Sequence, residues 1–218
     1  MCVIAVSRAG ERLPTKKELH SMWVHNPDGA GYMCARAGQV FIHKGFMTFE
    51  DFWFAVRSEN FTKDDPVVFH FRISTQAGKT ATMTHPFPFS SDAEKMEALD
   101  VSCPLGIAHN GIIKLTSDPK EKRFSDTALF IMDYLPLLIK NSDDLADPYM
   151  QDIIKEIGGW SKFAFMEGDG TITTIGYFTN DNGVLLSNTN HKIEKQTIPT
   201  KSFSFYRPAG TEDIYAWR

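Results

Sequence analysis

Cys2-Val3-Ile4-Ala5-Val6 opens the chain directly behind Met1. A short apolar run of this kind suits a buried strand that begins almost at the terminus. Its first residue also has a chemical reading. Cysteine is small enough for an initiator methionine to be removed in front of it. That step would put a thiol, pKa about 8.5, and a free α-amine, pKa about 7.7 to 8.0, on one residue. A nucleophile and a general base would then share a single amino acid. The simpler alternative is a small apolar residue opening a core strand, and the downstream sequence decides between them.

Working outward, Thr15 and Glu18 form a capping-box pattern ahead of Leu19, Met22 and Trp23 at helical spacing. Asn26-Pro27-Asp28-Gly29 is a turn signal that ends this helix. Gly31 to Ala35 and Val40 to Phe46 read as strands joined at Ala37-Gly38. Thr48 caps a second helix with Phe49, Phe52, Trp53 and Val56 on its apolar face. Val67 to Ile73 reads as a buried strand, and Ser74 to Ser91 as a long loop. Leu105 to Ala108 and Ile112 to Leu115 read as short strands flanking His109-Asn110-Gly111. Ser125 caps a helix carrying Leu129, Phe130, Met132 and Leu135, and another helix runs near Met150 to Ile157. Lys162 to Ser187 reads as strands broken by Gly168-Asp169-Gly170 and Asn180 to Gly183. Strands at both ends with helices between predict an α+β layered sandwich, and the absence of repeats or linkers predicts one domain over residues 1–218.

The 218 residues, 42% hydrophobic and 23% charged, fit an ordinary globular chain. The net charge of −4 gives no general attraction to nucleic acid or anionic lipid. No apolar run reaches the roughly 20 residues that span a bilayer. Arg8, Glu11 and Arg12 interrupt any signal-peptide core, so a cytoplasmic location is expected. Cys2, Cys34 and Cys103 are odd in number and widely spaced, which argues against a disulfide framework or a structural zinc.

Three further segments carry chemistry. In His70-Phe71-Arg72-Ile73-Ser74-Thr75-Gln76 an arginine leaves an apolar strand, placed either for a surface ion pair or to grip a carboxylate through paired hydrogen bonds. In Ile107-Ala108-His109-Asn110-Gly111-Ile112 the Asn-Gly pair is a hairpin signal. It can also form an oxyanion hole from the Asn110 amide and the Gly111 N–H. In Phe124-Ser125-Asp126-Thr127, Asp126 sits in the first turn of a capped helix, as routine capping chemistry or as a cation site.

Taken with Cys2, these segments resemble the class II glutamine amidotransferase domain of the N-terminal nucleophile hydrolase superfamily. The match includes Asn26-Pro27-Asp28-Gly29-Ala30-Gly31, Arg72-Ile73-Ser74-Thr75, His109-Asn110-Gly111 and Ser125-Asp126-Thr127. It extends to Asp181-Asn182-Gly183-Val184-Leu185-Leu186-Ser187-Asn188, with every element in the family's order. The resemblance implies a four-layer αββα sandwich of two mainly antiparallel sheets. It implies that Cys2 attacks the carboxamide of L-glutamine and that its α-amine relays the proton to ammonia. Asn110 and Gly111 would hold the oxyanion, Arg72 with Thr75 and Gln76 the α-carboxylate, and Asp126 the α-ammonium. Water would then resolve the thioester without a cofactor. An ammonia-accepting synthetase or transferase on another chain is expected to dock over the site. The chain departs from the family at Val3, where glycine is common, and at Gln76-Ala77-Gly78, where His-Gly usually follows the threonine.

Two other functions compete: hydrolysis of a γ-glutamyl or other acyl amide, and a catalytically silent binding or regulatory subunit. Gly29-Ala30-Gly31 fails as a dinucleotide fingerprint because Cys34 stands where the third glycine belongs. His43, His70, His85 and His109 lack the paired spacing of a metal site, so no metal is expected. A papain-like pair between Cys2 and His70 or His109 is a further alternative. Pro86-Phe87-Pro88-Phe89 is expected to pack a loop.

Overall fold

The computed structural model describes residues 2–74, 80–114 and 123–192. In chain order the elements are β1 (Val3–Ser7), α1 (Lys16–His25), β2 (Ala30–Arg36), β3 (Gln39–Phe46), α2 (Phe49–Ser58) and β4 (Val67–Phe71). A 3-10 turn (Ala81–Met83), β5 (Phe87–Pro88), α3 (Ala93–Glu97), β6 (Asp100–Cys103) and β7 (Leu105–Asn110) follow. The helical segment after residue 125 comprises α4 (Asp126–Leu129), a π-helical turn (Phe130–Tyr134) and α5 (Leu135–Leu138). Then come α6 (Ser142–Ala146), α7 (Pro148–Gly158), β8 (Lys162–Glu167), β9 (Ile172–Ile175), β10 (Thr179–Asp181) and β11 (Val184–Leu186). A 3-10 turn over Asn190–Lys192 closes the described chain.

The fold is α+β with two antiparallel sheets. One sheet has seven strands in the order β10-β11-β1-β4-β2-β3-β6, and the other has four, β5-β7-β8-β9. Alternation along β1 explains how a fully buried strand serves two environments. Val3 and Ala5 join a cluster with Leu19 and Met22 of α1 and Phe49, Phe52 and Val56 of α2. Ile4 and Val6 face the other way and join Met33, Ile42 and Val68 with Ala108, Ala164 and Met166 of the second sheet. A third cluster sets Ile107, Phe163 and Phe165 against Phe130, Ile131, Leu135 and Ile154.

The inter-sheet side of β7 is built from small residues. A Cβ added at Gly106 would stand 2.7 Å from Met33 Sδ, so glycine lets the sheets approach at this point. The helix caps form as expected. Thr15 Oγ1 accepts from Glu18 N–H while Glu18 Oε2 accepts from Thr15 N–H at 2.7 Å, closing the capping box of α1.

Two expectations need correction. His109 and Asn110 belong to β7, which pairs with β5 and β8, so the Asn110-Gly111 pair ends a strand and turns no hairpin. Residues 112–114 carry no regular structure, and Leu115 lies outside the described residues. The loop over 74–91 contains β5 and a 3-10 turn among its described residues, and α3 and β6 follow where no element was expected. No helix among the described residues is long and apolar enough to cross a membrane.

Candidate active site

Strand register brings Cys2 and Arg72 together. Val3 pairs with Phe71, so Cys2, one residue before Val3, lies across from the residues that follow Phe71. Ile73 N–H donates to Cys2 Sγ at 3.4 Å, and Sγ lies 3.6 Å from the Ile73 carbonyl. Burial raises the Cys2 thiol above its ordinary pKa, opposed by the Ile73 contact and by the charge of Arg72. A neutral thiol at rest needs a base before it can attack.

On its other side Arg72 is gripped by the Asn26-Pro27-Asp28-Gly29 turn. Arg72 N–H donates to the Gly29 carbonyl at 2.8 Å, and Asp28 N–H to the Arg72 carbonyl at 2.9 Å. The Asp28 carboxylate accepts from Ser74 N–H at 2.9 Å, and Arg72 Nη2 lies 3.4 Å from Ser74 Oγ. Burial pushes the Arg72 pKa down, while Cys2, Asp28 and Asp126 all act to keep it charged. Cys2 and Asp126 therefore each lie within electrostatic reach of Arg72, although they come from distant parts of the chain. Asp28 is a member of this group to which the sequence reading gave no role.

Asp126 opens α4, with Ser125 as its N-cap and Ser125 Oγ accepting from Ala128 N–H at 3.2 Å. Both Asp126 oxygens accept backbone N–H groups, Oδ2 from Ile113 at 2.7 Å and Oδ1 from Thr127 at 2.9 Å. Each oxygen keeps a further acceptor site, enough to receive an ammonium. The same bond to Ile113 pins the segment just after Gly111.

Asn110 is 1% exposed and Gly111 abuts Ser161, where an added Cβ would stand 2.8 Å from Ser161 Cα. The Asn110 carboxamide meets Ser187 Oγ at 2.8 Å, and its other end is buried without a partner among the described residues. Ser187 Oγ also accepts from Ile4 N–H at 2.9 Å, and Asn188 Nδ2 donates to the Cys2 carbonyl at 2.7 Å. Ser187 and Asn188, just after β11, thus touch Cys2, the strand that follows it and the candidate oxyanion donor. Thr75 and Gln76 lie outside the described residues.

Three histidines from distant segments converge behind Asn110. The His70 and His85 rings stack at 4.3 Å, and His85 and His109 lie 6.1 Å apart. His70 Nε2–H donates to the His109 carbonyl at 2.9 Å, a bond from one sheet to the other. His109 N–H donates to His85 Nδ1 at 3.2 Å, and His109 Nδ1 lies 2.7 Å from Thr127 Oγ1. Burial depresses all three pKa values, those of His70 and His109 to about 3. Cys2 Sγ bonds to the Ile73 backbone and to neither His70 nor His109, which gives the papain-like pairing no support. Among the described residues no group of three or more His, Cys, Asp or Glu side chains is arranged to hold a metal.

No family model and no curated protein matches the chain. Among solved structures, the chain is similar to the allosteric regulatory enzyme of purine biosynthesis at 15% identity and a TM-score of 0.44. The similarity covers 77% of this chain and 36% of that one, so this chain spans about a third of that protein. A likeness at that level assigns no residue a role.

Proposed function

We propose that the chain is an amide hydrolase of the N-terminal nucleophile type, with its two sheets and flanking helices in a four-layer αββα sandwich over one domain. Within that class we read it as a glutaminase of the class II glutamine amidotransferase kind. The observation that carries this reading is that Arg72 stands beside Cys2, whose Sγ accepts from the adjoining Ile73 N–H, and also feels the Asp126 carboxylate. A cation in reach of the nucleophile is in turn in reach of a carboxylate. A free α-amino acid has one group for each of those charges. A substrate that lacked either group would forgo a charge-assisted hydrogen bond, which favours a free amino acid over its uncharged analogues. The three clusters, one between the sheets and one on each outer face, support the layered arrangement.

In this mechanism methionine removal frees the Cys2 amine, which takes the thiol proton as Sγ attacks the glutamine carboxamide. Asn110 and the Gly111 N–H receive the charge that develops on the carbonyl oxygen. The C–N bond breaks, the amine returns the proton to the leaving ammonia, and a thioester remains. Water then attacks, releasing glutamate and restoring the thiol. The raised thiol pKa supports this order, because deprotonation by a neighbouring base has to precede attack. Ammonia would pass to an acceptor enzyme on another chain, since free ammonia protonates in water.

The test is release of glutamate and ammonia from L-glutamine by protein whose N-terminal residue is Cys2. Equimolar products, absent in Cys2→Ala, are expected. Turnover of γ-glutamyl amides with none of glutamine would overturn the glutaminase reading.

A further inference from the structure

Ser187 and Asn188 follow directly on β11 and are bonded to three parts of the site at once. The backbone of Ser187 continues the pairing with β1, donating to the Ile4 carbonyl at 3.0 Å. Its hydroxyl takes up the Ile4 N–H at 2.9 Å, and this contact fixes Ser187 Oγ as an acceptor. The same oxygen meets the Asn110 carboxamide at 2.8 Å through the end assigned as nitrogen, which leaves Oδ1 buried without a partner among the described residues.

The two ends of a carboxamide have nearly the same shape, so the hydrogen-bond inventory chooses between its orientations. With nitrogen towards Ser187, the hydroxyl accepts twice and its own proton goes unused, while a carbonyl oxygen is stranded in the interior. With oxygen towards Ser187, the hydroxyl accepts from Ile4 and donates to Asn110, and Asn110 Oδ1 is satisfied. The unmatched atoms are then the N–H groups of Asn110. Unmatched donors in the resting protein are the groups that can receive an oxyanion without first breaking a bond.

We propose that Ser187 is the positioning residue of the oxyanion hole. It accepts the Ile4 N–H, gives its proton to Asn110 Oδ1, and leaves the Asn110 N–H pair free for the substrate oxygen. Asn188, bonded to the Cys2 carbonyl, sets the nucleophile against the same reference point. One dipeptide therefore holds both partners of the attack step, one on each sheet. Ser187 touches no reacting atom and acts only through Asn110. The orientation of Asn110 stands on geometry alone, whereas its kinetic consequence rests on the glutaminase reading above.

The experiment has two arms on the protein whose N-terminal residue is Cys2. In the first, the side-chain amide protons of Asn110 are followed by 15N–1H exchange spectroscopy, with the signals identified by their loss in Asn110→Asp. Both protons exchanging with water at similar rates is the expected result. One strongly protected proton, held by Ser187, overturns the proposal. In the second arm, Ser187→Ala is expected to lower kcat for glutamine about tenfold or more, with KM changed by less than about twofold. An unchanged kcat, or a KM that rises in step with the fall in kcat, overturns it. If the wild-type protein turns over no glutamine, the activity reading fails by itself, and the exchange measurement alone decides the orientation of Asn110.

Discussion

Lowering the pH from 7 to 5.5 should destabilise this protein sharply, because His70, His85 and His109 are held neutral. Each ring has one nitrogen committed to a bond that fixes its tautomer, or packed where a new proton would find no acceptor. His70 Nδ1 and His109 Nε2 are buried without partners among the described residues, and His85 Nδ1 already accepts from His109 N–H. Their folded pKa values lie below the ordinary 6.5, at about 3 for His70 and His109. The unfolded chain therefore binds protons that the folded one refuses, and stability is lost as pH falls below about 6.5. Over this interval an unfolded imidazole goes from about a quarter to about nine-tenths protonated, which costs about 1.3 kcal/mol per histidine. His70 and His109 together lose about 2.6 kcal/mol, a large share of a typical folding free energy, and His85, held down in the same way, adds to it. His191, also depressed by burial, adds to the loss. Carboxylates barely contribute in this window, since Glu18, held at about 2 and itself desolvated by burial, is stabilised chiefly by its bonds to Arg12 and Thr15 and titrates lower. Urea unfolding at the two pH values and equal ionic strength measures the difference. His70→Gln keeps a donor towards the His109 carbonyl without an imidazole, so it should shrink the loss by about 1.3 kcal/mol. Equal stability at pH 7 and 5.5 refutes the reasoning.

Arg72→Ala and Asp126→Ala should each lower kcat/KM for glutamine about 30-fold or more, equivalent to about 2 kcal/mol for a charge left unanswered, chiefly through KM. Steady-state kinetics checks this, and unchanged constants would remove both residues from the site. Gly111→Ala should destabilise the fold by about 1–3 kcal/mol, because the added methyl meets the Ser161 backbone. Denaturant midpoints measure it, and a neutral substitution contradicts the close approach. Lys44 is buried, donates to the Thr82 and Met96 carbonyls, and is pushed down to about 7 by burial. The unfolded lysine takes up its proton near 10.5, so this group makes stability fall as pH drops from about 10 to 7 and adds no further slope below that. Lys44→Met should flatten that slope, and a slope unchanged in the variant refutes the assignment.

Local signals in the sequence were legible where they depended on near neighbours. The Thr15–Glu18 box, the Thr48 and Ser125 caps and the β2–β3 connection at Ala37-Gly38 each stand where spacing predicts. The Asn110-Gly111 pair carried a hairpin reading beside the oxyanion one, and the hairpin failed because the same dipeptide serves a tight turn and the end of a paired strand. Only the partner strand β8, some 50 residues on, distinguishes them. The histidine group was illegible, since residues 70, 85 and 109 share no period and meet only when the two sheets pack. Asp28 and Ser187 were visible as motif members, yet their bonds to Ser74 N–H, Ile4 N–H and Asn110 follow from strand register. Arg72 stood out as a candidate because an arginine leaving an apolar strand is conspicuous without any tertiary knowledge.

The central claim is that Cys2 acts as an N-terminal nucleophile on a glutamine-like carbonyl. Intact-mass analysis of the protein before and after treatment with diazo-oxo-norleucine tests it directly. The account predicts a chain one methionine lighter than its translated length that gains a single adduct, with no adduct in Cys2→Ala. A full-length, unlabelled mass contradicts it.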